Sequence, residues 1–162
     1  MNSVKEKSEK SEQSEKIEKS CTQEFLCELY KNMKMGSDSI VNILPKVEGK
    51  ELRQELTAEL NRYEEFSKEI AKEIYNGGEE PKEENILAKL GAKIGMAMNT
   101  MMDSTDSHIA QMMIEGATMG ITENTKLIHE YENKHCSERS LKLARETVAF
   151  MEDSVERMKN YL

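Results

Sequence analysis

Apolar residues recur along most of the chain at the three- and four-residue spacing of an amphipathic helix. Two such stripes, over residues 22–47 and 50–76, predict two helices, since successive helical residues are rotated by about 100°. Pro45 and Gly49 separate them, because proline removes a helical hydrogen bond and glycine accepts the conformation that ends a helix. So short a connection predicts an antiparallel hairpin. The stripes are Phe25, Leu26, Leu29, Met33, Gly36, Ile40, Leu44 and Val47 in the first helix, and Leu52, Leu56, Leu60, Tyr63, Phe66, Ile70 and Ile74 in the second.

The long segment after the second helix is helical in pattern throughout but exceeds the length of one ordinary helix. The sequence DSTD at 103–106 is a helix start signal, so we predict two helices there, over 84–102 and 105–133. A last helix is predicted over 137–161, with Ser137 as its N-cap. The stripes of these three helices are Ile86, Leu87, Leu90, Ile94, Met98 and Met101; then Ile109, Met112, Met113, Gly116, Met119, Gly120, Leu127 and Tyr131; then Leu141, Ala144, Val148, Met151, Val155, Met158 and Leu162.

Residues 1–20 differ from the rest, because they contain five Lys, five Glu and few apolar residues in S-E-K type repeats. Such a segment has almost nothing to bury, so we predict a disordered charged tail. Residues 21–162 form the folded domain, since a chain of 162 residues is long enough for one core and too short for two. The charges of the tail cancel, so the net charge of −8 belongs to the folded domain.

The composition supports an all-α fold and argues against some classes of binding partner. Aromatic residues are 5% of the chain and Trp is absent, whereas charged residues are 33% and Met occurs 12 times. The acidic charge argues against a nucleic-acid surface, which is ordinarily basic. No stretch reaches the roughly 18 apolar residues of a membrane span, and the N-terminus lacks the apolar segment of a signal peptide. We therefore expect a cytoplasmic protein.

The three cysteines are Cys21, Cys27 and Cys136, and no two of them form a C-x-x-C pair. So sparse a set suggests neither a disulfide framework nor a zinc site. We therefore expect reduced thiols without a structural role.

The helix order, two hairpins joined by a long helical connection, is that of ferritin-like bundles. Three segments carry the likeness: KMGSDSIVNIL in the first helix, ELTAELNRYEEFSKEI with the GGEEP turn in the second, and IEGATMGITENTKLIHEY in the fourth. Residues 22–162 therefore resemble an uncharacterised bacterial ferritin-like family. The resemblance implies an all-α four-helix bundle with a long helical crossover between the helices at 50–76 and 105–133.

Ferritin-like di-metal enzymes use one Glu from each of two helices and a Glu-x-x-His pair from each of the other two. Here the Glu-x-x-His sequence occurs once, from Glu132 to His135, at the end of a predicted helix and turned away from its apolar stripe. We therefore expect a non-catalytic protein without a di-iron centre, a cofactor or catalytic residues.

Glu59, Glu123 and Glu130 are the acidic residues nearest the apolar stripes of the second and fourth predicted helices. A carboxylate inside a packed face costs several kcal/mol unless it is paired. One interpretation is an acid that bonds to Ser67, Thr105 or a lysine, or that emerges between helices. The other is a residual single-metal site formed by the three glutamates.

Methionines and glycines cluster in the second half of the chain. With His108 among them, the thioethers are ligands that suit Cu(I), but their helical spacing favours core or interface packing. G-x-x-x-G pairs begin at Gly91 and Gly116, and each glycine costs about 1 kcal/mol against alanine inside a helix, which close approach of another helix would explain. The clustered methionines are Met96, Met98, Met101, Met102, Met112, Met113 and Met119.

Two functional hypotheses follow. The first is a non-catalytic interaction or scaffold protein whose Met- and Gly-rich surface binds a second copy of itself or a protein partner. The alternative is a metal-binding or metal-storage bundle that uses the interior glutamates or a Met/His copper site.

Overall fold

The computed structural model describes residues 2–81 and 103–162, and this part of the chain is helical with no strand. The all-α class predicted from the sequence is confirmed. The four helices are α1 (Asn2–Ile43), α2 (Lys50–Asn76), α3 (Asp106–Tyr131) and α4 (Glu138–Met158).

The helix bounds follow the local chemistry of the sequence. The predicted bounds of α2 are confirmed, and those of α3 and α4 agree within three residues. The first helix ends at Ile43, earlier than predicted, because Pro45 cannot donate the next helical hydrogen bond, and Leu44–Lys46 form a single 3₁₀ turn. The helix predicted over 84–102 lies outside the described residues.

The segment predicted to be a disordered tail is helical in the structure, since α1 begins at Asn2. The side chains of residues 9–20 are exposed. Glu12 precedes Lys16 by four residues and Glu15 precedes Lys19 likewise, a spacing that stabilises a helix without burying it. The low apolar content of this segment therefore indicates that it is exposed, but it does not prevent the segment from being helical.

The most extensive contacts are those of α1 with α2 and of α3 with α4; α1 also packs against α3, and α4 contacts α1 and α2 less extensively. The backbone N–H of Gly49 donates to Asp106 Oδ1 at 3.2 Å, so α3 begins beside the α1–α2 connection, at what we call the lower end. The backbone N–H of Ser137 donates to Thr22 Oγ1 at 2.9 Å, so the α3–α4 turn lies at the opposite, upper end. Both hairpins are therefore antiparallel.

The core is one cluster of apolar side chains from all four helices. The stripes predicted for α1 and α2 supply most of it, and their large members are almost completely buried. Leu44 and Leu60 are half-buried at its edge. The apolar pattern of the first hairpin is thus confirmed.

The face that α3 buries differs from the predicted one. Met119 is 65% exposed and Gly116 is exposed, whereas Ala110, Ala117 and Asn124 are buried at seven-residue spacing. At 100° per residue, these three residues lie roughly 80° from the centre of the predicted stripe. The prediction was right for Ile109 and Tyr131, which are buried, and wrong for Gly116 and Met119, because it excluded a polar residue, Asn124, that lies on the buried face.

The stripe predicted for α4 is largely confirmed, since Leu141, Ala144, Met151 and Met158 are buried, but the buried face is wider than predicted. Ser140, Thr147 and Ser154 are each at most 2% exposed and share one side of the helix. Leu162, which the predicted stripe included, is 63% exposed. Small polar residues are therefore part of the interior on both helices of the second hairpin.

Asn124 connects three helices through a row of buried hydrogen bonds. Its side chain is 0% exposed, its Oδ1 accepts from Asn32 Nδ2 at 2.8 Å, and its Nδ2 donates to Thr147 Oγ1 at 3.1 Å. The Thr147 hydroxyl in turn donates to the carbonyl oxygen of Ala144 at 2.7 Å. Every polar group of this row has a partner, which offsets the cost of removing it from water.

The cysteines also depart from expectation, because Cys21 and Cys136 form a disulfide, with 5.5 Å between their Cα atoms. It joins α1 to the α3–α4 turn at the upper end, beside the Thr22–Ser137 hydrogen bond. The third cysteine, Cys27, is half-buried and is not part of the disulfide. A pairing across 115 residues cannot be read from cysteine spacing.

Replacing Asn124 by Ala tests the buried polar row. The change leaves the amide of Asn32 without its acceptor and opens a small cavity, so the free energy of unfolding should fall by about 1–3 kcal/mol. Urea denaturation measures it. Asn61→Ala, at an exposed position of α2, is the matched control and should change stability by less than about 0.5 kcal/mol. Equal effects of the two substitutions would contradict a structural role for the row.

Candidate functional site

Glu59 is the acidic side chain that the structure places inside the protein. It lies on the buried face of α2, one turn after Leu56 and one turn before Tyr63, and it is 2% exposed. Ser154 on α4 donates its hydroxyl hydrogen to Glu59 Oε1 in a short hydrogen bond. This pair connects α2 and α4 across the interior.

The electrostatic surroundings of Glu59 favour its protonated form. Its second oxygen, Oε2, is buried and has no hydrogen-bond partner. Burial raises the pKa of the Glu59 carboxyl above its ordinary value, and the effects of the Ser154 hydrogen bond and of the Arg157 charge in lowering it are smaller. Arg157 is itself bound to Glu55, with 2.6 Å between Nε and Oε1.

Tyr63 belongs to the same buried surroundings. Its ring packs edge-on against Phe150, with 5.0 Å between ring centroids. Burial raises the pKa of the Tyr63 hydroxyl. The interior around Glu59 therefore disfavours negative charge, which increases the proton affinity of this buried carboxyl.

The other two predicted ligands lie on the surface, because the rotation of α3 turns them outward. Glu123 forms an ion pair with Lys126 at 3.0 Å, and Glu130 forms one with Lys134 at 2.8 Å. Their side chains are more than half exposed. The structure does not bring Glu59, Glu123 and Glu130 together, and within residues 2–81 and 103–162 no three His, Cys, Asp or Glu side chains are placed to hold a metal ion.

Of the remaining candidate ligands, only some lie in the part of the chain that the structure describes. Residues 96–102, which contain four of the clustered methionines, lie outside the described part of the chain. His108 is half-buried at the start of α3, and Met119 is exposed farther along the same helix. His135 of the Glu-x-x-His sequence is exposed in the α3–α4 turn, after the end of α3.

The partner of Glu59 was missed by sequence reasoning, although a signal for it exists. Ser140, Thr147 and Ser154 recur every seven residues, which places them on one helical face, next to the apolar positions 144 and 151. A search for small polar residues at heptad spacing would have found this row. A search for apolar residues passes over it.

Comparisons of this chain with family models, with curated proteins and with solved structures find no match. In the part of the chain that the structure describes, no helix combines the length and the apolar character that crossing a membrane requires.

Replacing Glu59 by Gln tests the protonated state of the carboxyl. Since its pKa is raised in the folded state, folding is favoured below the ordinary carboxyl pKa of 4.5, and this stability is lost as the pH rises through the folded pKa. The Gln side chain has no charge to lose, so the variant should gain stability relative to the wild type between pH 5 and pH 8. Urea denaturation at a series of pH values measures this gain, which should increase as the pH rises above 4.5.

Glu123→Gln is the control, because this carboxyl is exposed and its ion pair with Lys126 contributes little. The difference between this variant and the wild type should not change with pH by more than about 0.5 kcal/mol. A Glu59→Gln protein that follows the wild-type pH profile would show that Glu59 titrates as an ordinary carboxyl.

Proposed function

We propose that this protein is a ferritin-like, non-catalytic helical scaffold that acts by binding a second copy of itself or another protein through one face of α3. The ferritin-like topology is supported by the chain path. Because α2 ends near Gln23 at the upper end and α3 begins near Gly49 at the lower end, the connection between them has to traverse the length of the protein, as a crossover does.

The observation that carries the proposed interaction is the surface formed by Met112, Gly116 and Met119, which we call the α3 surface. Met119 is more exposed than any other large apolar side chain in the described part of the chain. A Cβ atom added at Gly116 would meet no atom of residues 2–81 and 103–162 within 4 Å, so this part of the fold leaves room for a larger residue there. Met112 is half-buried one turn earlier.

Glycine at position 116 therefore lowers the stability of the helix, and no close contact within the described residues explains why a glycine is needed there. Inside a helix it is about 1 kcal/mol less favourable than alanine. The next glycine differs, because a Cβ at Gly120 would lie 2.8 Å from Met151 Sδ, so close packing of α4 explains it. An open glycine beside exposed methionine provides a shallow, apolar surface that a partner helix can approach closely.

Gly116→Ala separates the stability of the fold from binding. The substitution should raise the free energy of unfolding by about 1 kcal/mol and yet weaken association, because the added methyl group separates the two helices. Sedimentation velocity over a concentration series measures self-association, and a photo-crosslinking residue at position 119 captures a different partner in cells.

Thr118→Ala is the matched control, since it lies on α3, is exposed, gains helix propensity and is outside the α3 surface. It should leave association unchanged. The proposal would be wrong if Gly116→Ala destabilised the protein, because the glycine would then serve the fold. It would also be wrong if the chain stayed monomeric and position 119 captured no partner that position 118 fails to capture.

The alternative function is metal binding, and the unpartnered Oε2 of Glu59 is the observation that favours it. A metal bound only to the folded state would stabilise it by about 2.7 kcal/mol at a hundredfold excess over Kd, and Glu59→Gln would abolish the gain. We expect Fe(II), Mn(II), Zn(II) and Cu(I) to give no such gain. Stoichiometric metal in protein purified without a metal-affinity tag, together with a rise in Tm that Glu59→Gln removes, would establish the alternative instead.

A cytoplasmic location remains a prediction from the sequence, and the disulfide bears on it. Structural disulfides persist in oxidising compartments, whereas those of cytoplasmic proteins are ordinarily transient. If this protein is cytoplasmic, the Cys21–Cys136 bond is therefore reversible rather than permanent.

A further inference from the structure

The α3–α4 turn is fastened to α1 at the upper end by two bonds. These are the Cys21–Cys136 disulfide and the hydrogen bond from the Ser137 N–H to Thr22 Oγ1. Residues 132–135 of the turn are exposed, and both disulfide-bonded cysteines are half-buried, at the edge of the protein. The disulfide therefore joins two partly exposed positions beside an exposed turn.

The backbone of the turn is held in an unfavourable conformation next to this disulfide. His135 has φ of 58°, in the left-handed region that residues with a side chain rarely adopt, and it directly precedes Cys136. The surrounding structure has to hold such a residue in place. The disulfide is the covalent part of that structure.

The helices on either side of the turn have attachments of their own. At the end of α3, the ring of Tyr131 packs on Phe25 of α1, with 5.5 Å between centroids. At the start of α4, Arg139 forms an ion pair with Glu73 of α2 at 2.8 Å. Opening the disulfide therefore removes the covalent restraint on the turn while α3 and α4 keep their contacts.

We propose that Cys21 and Cys136 form a reversible redox clamp, in which reduction by a dithiol releases the α3–α4 turn from α1 and leaves the four-helix core folded. A thiolate of the dithiol attacks one sulfur, breaks the S–S bond and forms a mixed disulfide. The second thiol of the reductant then displaces the remaining cysteine. Two electrons pass to the protein disulfide, which takes up two protons and becomes two thiols, and the reductant becomes a disulfide. A disulfide oxidant reverses the step.

Cys27 is not a competing partner for Cys21. The two lie six residues apart on one continuous helix, which separates them by about 9 Å along its axis, beyond the reach of a disulfide. A disulfide between Cys21 and Cys27 is therefore excluded, and the closed state of the clamp is the Cys21–Cys136 bond.

Limited proteolysis of the full chain tests the clamp, because Lys134 is an exposed trypsin site inside the turn. We expect cleavage after Lys134 to be at least tenfold faster with dithiothreitol than without, as measured by mass spectrometry after quenching and denaturing reduction. The helical circular dichroism signal should be the same in both states. Incubation with oxidised glutathione after removal of dithiothreitol should restore the slow rate.

Two variants complete the experiment. Cys136→Ser should be cleaved at the fast rate with or without reductant, and Cys27→Ser should keep the wild-type response. The proposal is overturned if three thiols titrate in protein exposed to oxidised glutathione, or if reductant leaves the cleavage rate unchanged. It is equally overturned if reduction abolishes the helical signal, because the disulfide would then hold up the whole fold rather than the turn.

Discussion

The pairing of buried polar side chains between helices is the constraint on which the rest of this structure depends. An interior amide or carboxyl without a partner costs about 1–3 kcal/mol or more, a large part of the stability of a small domain. Asn124 meets this requirement only when α3 turns it toward Asn32 and Thr147. Glu59 obtains its hydrogen bond only when α4 presents Ser154 to α2. Polar pairing thus fixes the rotation of α3 and α4 about their axes, which apolar packing alone leaves less defined.

That rotation also decides what the surface offers. Turning Asn124 inward moves Glu123 and Glu130 outward, where they pair with lysines, and it leaves Met119 exposed. The same turn brings Gly120 against Met151 and leaves Gly116 open. The dispersed glutamates and the α3 surface are therefore two consequences of one choice of helix face. The same rotation of α3 therefore supports the interaction hypothesis, because it exposes Met119, and argues against the three-glutamate site, because it separates Glu123 and Glu130 from Glu59.

Residue pattern predicted the first hairpin well and the second less well, for a physical reason. In α2 every turn carries a large apolar residue, from Leu52 to Ile74, so the hydrophobic effect alone defines its inner face. In α3 the large buried apolar residues Ile109, Ile128 and Tyr131 lie near the two ends, and the middle of the inner face is made of Ala117 and Asn124, which carry a weak hydrophobic signal. The inward position of Glu59 could be anticipated from its place on the α2 stripe. Its partner Ser154 could not, because that pairing depends on how two helices distant in sequence are rotated.

The disulfide could not be predicted from the residue pattern, because its two cysteines are 115 residues apart and only the folded chain brings them together. Its position at the upper end determines which part of the protein reduction would affect. The lower end is closed by the Gly49–Asp106 hydrogen bond and the interior by polar pairs, none of which involves a thiol. Reduction of the disulfide would therefore act at the upper end, whereas a change in the protonation of Glu59 would act between α2 and α4 in the interior. Because the two groups share no hydrogen bond or ion pair, their effects on stability should add.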